Sequence, residues 1–283
     1  MRWSGDERLG ARPAGARGGS PVIFLKLGGS LITDKARRET ARLDVLTRLA
    51  QEIAEARGQQ PGMRLLLGHG SGSFGHVAAA RYGTRQGART PQDWLGFAQV
   101  WWAAHRLNRL VMDALLAAGL PAVSFPPLGH AMCEAGVLVQ LASEPIVRAL
   151  EAGLLPVVQG DVAFDRSQGA TIVSTEQVMG YLADELRPER VLLAGSEQGV
   201  YGQFPAQGPP LAILRGSDRV QVAIGSADEA DVTGGMADKV DWCLRLAARL
   251  PQSEVRIFSG RHPGNLRDAL SGAALGTRIA PAG

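Results

Sequence analysis

Two short apolar runs each break into a glycine-rich turn, LKLGGSLITDK over Leu25 to Lys35 and LLLGHGSGSFGH over Leu65 to His76. This repeated strand-to-glycine transition restricts the fold more than any other feature of the chain. Glycine lets backbone N–H groups approach an anion closely. A helix that follows such a turn adds partial positive charge at its N-terminus. One turn of this kind suits a single phosphate, and two can hold a donor and an acceptor.

The same punctuation recurs along the chain. VIFLKL at 22–27, RLLLGH at 64–69, LPAVSF at 120–125, LLPVVQG at 154–160, RVLLAG at 190–195 and VRIFSG at 255–260 read as buried strands. Helical patterns lie between them near 43–57, 92–118, after Glu144, at 176–186 and at 235–249, and a hairpin is expected through Phe164 and Ile172. Such alternation predicts an α/β fold with an open, mostly parallel sheet sandwiched between helices, its ligand loops at the carboxyl ends of the strands. Gly202 to Gly216, with Pro205, Pro209 and Pro210, reads as a surface excursion. Residues 21–283 read as one domain, with one half for each of two ligands, behind a disordered tail or non-native start at 1–20.

Composition narrows the function classes. With 45% hydrophobic and 20% charged residues over 283 positions, the chain fits a soluble globular protein. The apolar stretch from Val100 to Leu120 is interrupted by His105, Arg106, Asn108, Arg109 and Asp113, so no membrane span is expected. Arg2, Arg8, Arg12 and Arg17 against Asp6 and Glu7 place much of the net charge of +3 in the tail, where there is no signal-peptide core. The pI of about 9.2 is therefore no argument for nucleic-acid binding. Cys133 and Cys243 stand in no disulfide or zinc spacing, which fits a reducing cytoplasm.

Gly70-Ser71-Gly72-Ser73-Phe74-Gly75 formally satisfies a dinucleotide fingerprint, but RYGTRQGARTPQD over Arg81 to Asp93 supplies no following strand with an acidic end. No Walker loop is present. The lysines say more: only three of the 30 Lys and Arg residues are lysines, Lys26, Lys35 and Lys239, and each stands beside a glycine-rich turn. Lys26 occupies a strand position in an apolar run, costly unless an anion is near, unless it snorkels from the strand end. Asp161 in QGDVAFD is placed to orient the lysines or a metal, or to serve as a plain turn or N-cap aspartate. Asp231 in DVTGG has the same ambiguity between Mg²⁺ and a helix cap. His76 closes the second turn and is placed to hydrogen-bond an anion there; a lone histidine is as readily a surface or core residue.

LKLGGSLITDK, HGSGSFGH, PVVQGDVAFD and DVTGGMADK, in this order over residues 25–239, resemble the amino acid kinase superfamily, and within it the isopentenyl phosphate kinases. A glycine turn ending in SFGH narrows the resemblance to that group and the related fosfomycin kinases. The resemblance implies that Lys26, Gly28, Gly29, Ser30 and Lys35 hold the ATP phosphates, with Gly234 and Lys239 contributing from the C-terminal half. It implies that Gly70, Ser71, Gly72 and Gly160 meet the phosphate of the acceptor, that His76 hydrogen-bonds it, and that Asp161 organises the lysines. ATP and Mg²⁺ are the implied cofactors, with no protein metal ligand assigned, and a homodimer is the implied assembly. Two stretches depart from the pattern. AGSEQGVYG at 194–202 has Ser196 and Gln198 where many members carry Asp-x-Asp-Gly, and Ser174-Thr175-Glu176-Gln177 matches a stretch that often holds paired acids.

The activity so implied is ATP-dependent phosphorylation of isopentenyl phosphate to the diphosphate. A phosphate acceptor, with a second pKa of about 6, is already largely dianionic at neutral pH and needs no general base. Its apolar tail is expected in a pocket near Tyr82, Trp94, Phe97 and Trp101. A phosphonate kinase of the fosfomycin type and a non-catalytic nucleotide-binding sensor are the alternatives.

Overall fold

The structure, a computed structural model, describes residues 21–202, 208–221 and 236–282. The tail at 1–20, Asp231 and Gly234 lie outside the described residues. In chain order the elements are β1 (Val22–Leu27), α1 (Gly29–Ile32), α2 (Leu43–Gln59), β2 (Arg64–His69), α3 (Gly72–Tyr82), α4 (Pro91–Ala117), β3 (Ala122–Ser124), β4 (Ala131–Glu134), β5 (Val137–Leu141) and α5 (Glu144–Glu151). They continue with β6 (Leu155–Gln159), β7 (Asp161–Asp165), β8 (Gly169–Val173), α6 (Thr175–Leu186), β9 (Arg190–Gly195), β10 (Ile213–Arg215), α7 (Met236–Arg249), β11 (Glu254–Ser259), α8 (Asn265–Leu270) and β12 (Thr277–Ala280).

Eight strands form the main sheet in the order β10-β12-β11-β9-β1-β2-β6-β3. All neighbours run parallel except β11 and β12. Because successive strand side chains point to opposite faces, the continuous apolar runs feed two cores. Phe24, Leu66, Val158 and Val191 pack on one side with Ile146, Val178, Leu182, Val240 and Leu246 of α5, α6 and α7. Leu25, Leu65, Leu67, Val157 and Leu192 pack on the other with Leu49, Ile53, Leu107, Val111 and Leu266 of α2, α4 and α8. This is the helix–sheet–helix sandwich expected from the alternation.

Two parts differ from expectation. A second, four-stranded sheet, β5-β4-β7-β8, stands beside the first; β7 and β8 form the expected hairpin, whereas β4 and β5 are additional. Their sequence, AMCEAGVLVQL, is a short half-exposed hairpin whose turn needs positive φ at Ala135 (48°) and Gly136 (80°), and the alanine hides that turn signal. The excursion also returns to the fold: β10 pairs with β12 and closes one edge of the main sheet.

Candidate active site

In the main sheet the carboxyl ends of the central strands are level. Leu27 faces His69 and Ala194, and His69 faces Gln159. The next residues are Gly28, Gly70, Gly160 and Gly195. The carboxyl edge is thus a row of bare backbone, and a cavity of about 480 Å³ opens over it. Gly28, Gly29, Ser30, Gly70, Ser71, Gly72 and Gly160 all line that cavity.

The two glycine turns touch. A Cβ on Gly29 would stand 2.5 Å from the Gly72 nitrogen, and one on Gly70 would stand 2.9 Å from the Gly29 nitrogen. Thr33 stitches the pair, its Oγ1 donating to the Gly29 carbonyl at 2.8 Å and accepting from the Ser73 N–H at 3.0 Å. The two turns lead into helices of unequal length. α3 spans eleven residues and opens on Gly72 with no side-chain cap from Ser71, so its dipole faces the cavity. α1 has only four residues, too few aligned peptides for a substantial dipole, which corrects the expectation of a charged helix end at the first turn. There the positive charge comes from side chains.

Lys26, Lys35 and Lys239 line the same cavity. Lys26 is only 5% exposed, and its Nζ lies 2.8 Å from Glu176 Oε1. Glu176 sits in the first turn of α6, behind an N-cap in which Ser174 Oγ accepts from the Gln177 N–H at 3.1 Å. Burial alone would raise the Glu176 carboxyl, yet Lys26, and more weakly Lys239, hold it below the ordinary value. Burial, reinforced by Lys26, lowers Lys239 from its ordinary value. Its Nζ approaches β9, 3.6 Å from where a Cβ on Gly195 would stand. Ser196, the first position that departs from the acidic pattern, donates from Oγ to Ser30 Oγ at 3.3 Å. At the end of β9, a hydroxyl and Lys239 thus stand where the family pattern would place acids.

Asp161 lines the cavity and is 2% exposed, but its carboxylate is held elsewhere than expected. Oδ2 lies 3.1 Å from His105 Nε2 on α4, and Oδ1 accepts from the Val162 N–H at 2.8 Å. Glu176, not Asp161, holds Lys26. The physical reason is position: Asp161 opens β7, which belongs to the second sheet packed on α4, whereas α6 begins beside the end of β1. His69 is buried, with Nε2 3.1 Å from Asn108 Oδ1 and Nδ1 3.2 Å from the Gly70 carbonyl; burial lowers its pKa, and the two hydrogen bonds oppose that fall. His76 belongs to α3, and its side chain lies outside the described residues.

The apolar wall is made of small side chains. Ala79 of α3, Val100 and Ala104 of α4, and Ile172 and Val173 of β8 line the cavity. None of Tyr82, Trp94, Phe97 and Trp101 does so among the described residues, which corrects the expected aromatic pocket. Trp94 and Phe97 instead pack with Phe164, at centroid distances of 5.5–6.1 Å, and Trp101 covers the His105 ring at 4.5 Å. Arg85 also lines the cavity, as do Asp238, Asp241, Trp242 and Arg245 of α7. Lys239, Trp242 and Arg245 recur at three-residue spacing, a helical stripe that the sequence displays and that marks the face turned to the site.

A parallel αβα sheet whose level strand ends carry paired glycine turns and converging lysines defines a phosphotransferase of the amino acid kinase type. The chain belongs to the amino acid kinase family, whose model matches residues 21–259, and within it to the isopentenyl phosphate kinases. It is 37% identical over 275 residues to the isopentenyl phosphate kinase of Methanothermobacter thermautotrophicus, spanning 91% of this chain and 98% of that one. It is 29% identical to the isopentenyl phosphate kinase of Methanocaldococcus jannaschii, over 91% and 98% of the two chains. A solved isopentenyl phosphate kinase superposes with a TM-score of 0.76 at 34% identity, covering 92% of this chain and all of the other.

Proposed function

We propose that this chain transfers the γ-phosphoryl group of ATP to isopentenyl phosphate, forming isopentenyl diphosphate and ADP. The observation that carries this reading is the contact between the two glycine turns, which sets two anion cradles side by side over one cavity with an apolar wall next to the second. The activity is that of the relatives, which match over nearly their whole length.

The first turn, Gly28, Gly29 and Ser30, takes the ATP phosphates with Lys26, Lys35 and Lys239. The second, Gly70, Ser71 and Gly72, takes the acceptor phosphate with Gly160, and His76 on α3 donates a hydrogen bond to it. Two anions must meet, so the residues act by placement and charge: the lysines offset the charge of donor and acceptor, while backbone N–H groups aim the acceptor oxygen at the γ-phosphorus. The small apolar side chains of α3, α4 and β8 hold the alkyl tail out of water.

Magnesium enters as part of the nucleotide substrate. The described residues contain no cluster of three or more His, Cys, Asp or Glu able to cage a metal, and two of the cavity's carboxylates are engaged with Lys26 and His105. ATP phosphates and water are the natural ligands for such an ion, and no protein ligand is assigned. A homodimer belongs to the same reading and rests on the family resemblance, and a reducing cytoplasm rests on Cys133 and Cys243 standing in no disulfide or zinc spacing; among the described residues no helix is long and apolar enough to cross a membrane.

The test is acceptor-dependent ADP release with isopentenyl phosphate, with the product identified by phosphorus NMR. Formation of a coupled diphosphate pair supports the reading. ADP release unaffected by the acceptor, with only inorganic phosphate formed, overturns it.

A further inference from the structure

Asp161 poses an electrostatic problem for a site that must take a phosphate dianion. Its carboxylate is almost fully buried, lines the same cavity as Gly70, Ser71, Gly72 and Gly160, and touches no lysine. A bare carboxylate there would repel the acceptor. Its side-chain partner is His105, whose Nε2 lies 3.1 Å from Oδ2 and whose ring is covered by Trp101 at 4.5 Å.

We propose that His105 and Asp161 hold one proton between them, so that the wall beside the second glycine turn presents no net negative charge to the acceptor phosphate. This makes His105 a positioning residue for the acceptor, and the inference rests on the phosphate-acceptor reading above. Whether the proton sits on the carboxyl or the imidazole, the pair is neutral; once the proton leaves, it carries one negative charge. Burial raises Asp161 from its ordinary value while His105 opposes that rise, which favours retaining the proton.

The neighbouring charges do not substitute for it. On α4, Arg106 pairs with Glu39. Lys26 of β1 pairs with Glu176 of α6 and, on the reading above, serves the ATP phosphates. His69 of β2 is turned to Asn108 and the Gly70 carbonyl, and burial disfavours its charged form. At the far end of β7, Asp165 is tied to the Ala135 and Gly136 N–H groups. From the 127–129 turn comes a backbone hydrogen bond at Leu128. Arg85 and Lys239 share the cavity with Asp161, and their contribution is common to all variants below. The pair also fixes geometry, because His105 follows Ala104, a wall residue, so the bond sets how closely α4 approaches β7.

The experiment measures kcat and KM for isopentenyl phosphate and for ATP, from about pH 6 to about pH 9, in wild type, His105→Gln, Asp161→Asn and the double variant. His105→Gln is expected to raise the acceptor KM about tenfold at the pH where the wild-type pair still holds its proton, the gap closing as pH rises and that proton is lost, with kcat and the ATP KM within about twofold of wild type. In wild type the acceptor KM rises with pH as the pair loses its proton, and Asp161→Asn flattens that rise. Adding Asp161→Asn to His105→Gln brings the acceptor KM back toward wild type, because the repelling charge is gone. A role in packing alone predicts the reverse, with the double variant at least as impaired as either single one. An acceptor KM in His105→Gln equal to wild type across the range, or no rescue by Asp161→Asn, overturns the proposal. Should wild type fail to use isopentenyl phosphate, the phosphate-acceptor reading falls. Binding of inorganic phosphate to the same variants by calorimetry then decides the pair separately, with weakening in His105→Gln and rescue in the double variant supporting it. If His105→Gln does not fold, Asp161→Asn alone decides by whether the rise of the acceptor KM with pH persists.

Discussion

Lys26 Nζ and Glu176 Oε1 meet at 2.8 Å where the end of β1 faces the start of α6. The contact joins the strand that leads into the first glycine turn to α6 and leaves Lys26 buried, paired and at the cavity. Glu176→Gln removes the partner and leaves a buried ammonium, which is expected to lower stability by about 2 kcal/mol and kcat by at least about tenfold. Because the Glu176 carboxyl is held below its ordinary value, its stabilisation is present above the ordinary carboxylate range and is lost as pH falls through the lowered value. Thermal melts against pH should therefore show wild type and Glu176→Gln converging in acid and separating at neutral pH. A constant gap contradicts the ion-pair account.

The contact between the turns gives a second expectation. Gly29→Ala drives a methyl carbon to 2.5 Å from the Gly72 backbone, where nothing flexible can yield. Loss of about 1–3 kcal/mol and nearly all turnover is expected, since both cradles shift together. Gly58→Ala is the control: it lies near the end of α2 with nothing within 4 Å of the new carbon, and stability should hold or rise by up to about 1 kcal/mol. Equal melting temperatures for the two variants would remove the turn contact from the account.

Lys239 supplies a pH signature. Its charged form is disfavoured by burial and by Lys26, and polyphosphate restores it, so ATP binding takes up a proton as pH approaches the lowered value. The ATP Kd is expected to rise with pH below the range where an ordinary lysine titrates, while the Kd in Lys239→Gln is weaker and flat. Calorimetry in buffers of different ionisation enthalpy measures the proton uptake directly.

The apolar wall predicts a separation of substrates. Val100→Trp fills the acceptor side between α3, α4 and β8. The KM for isopentenyl phosphate is expected to rise by about tenfold or more, with the ATP KM within about twofold. A parallel change in both constants would place Val100 outside the acceptor pocket.

Much of this site was legible in the sequence because its parts are local. Gly28-Gly29-Ser30 and Gly70-Ser71-Gly72 follow apolar runs, and the rarity of lysine singled out Lys26, Lys35 and Lys239, which the fold brings to one cavity. What was not legible depended on pairing across the chain. Asp161 follows a strand and a glycine, as Gly29 and Ser71 do, but the strand it opens belongs to the second sheet, so its partner is His105. Glu176 was visible as an acid at the start of α6, yet only the packing of α6 on β2 and β6, with Thr175 Oγ1 donating to the His69 carbonyl at 2.7 Å, brings it to Lys26. The aromatics on α4 drew attention by size, whereas the wall was made by Val100 and Ala104, whose helical spacing carries no mark of function.

On the proposed reading, the second glycine turn receives a group that already bears a phosphate. The direct measurement compares kcat/KM for isopentenyl phosphate with that for isopentenol, by ADP release at saturating ATP. On that reading the second turn is a phosphate cradle whose N–H groups a free hydroxyl would leave unpaired, so the phosphate should be favoured by at least about a thousandfold. Comparable kcat/KM for the free alcohol would contradict it.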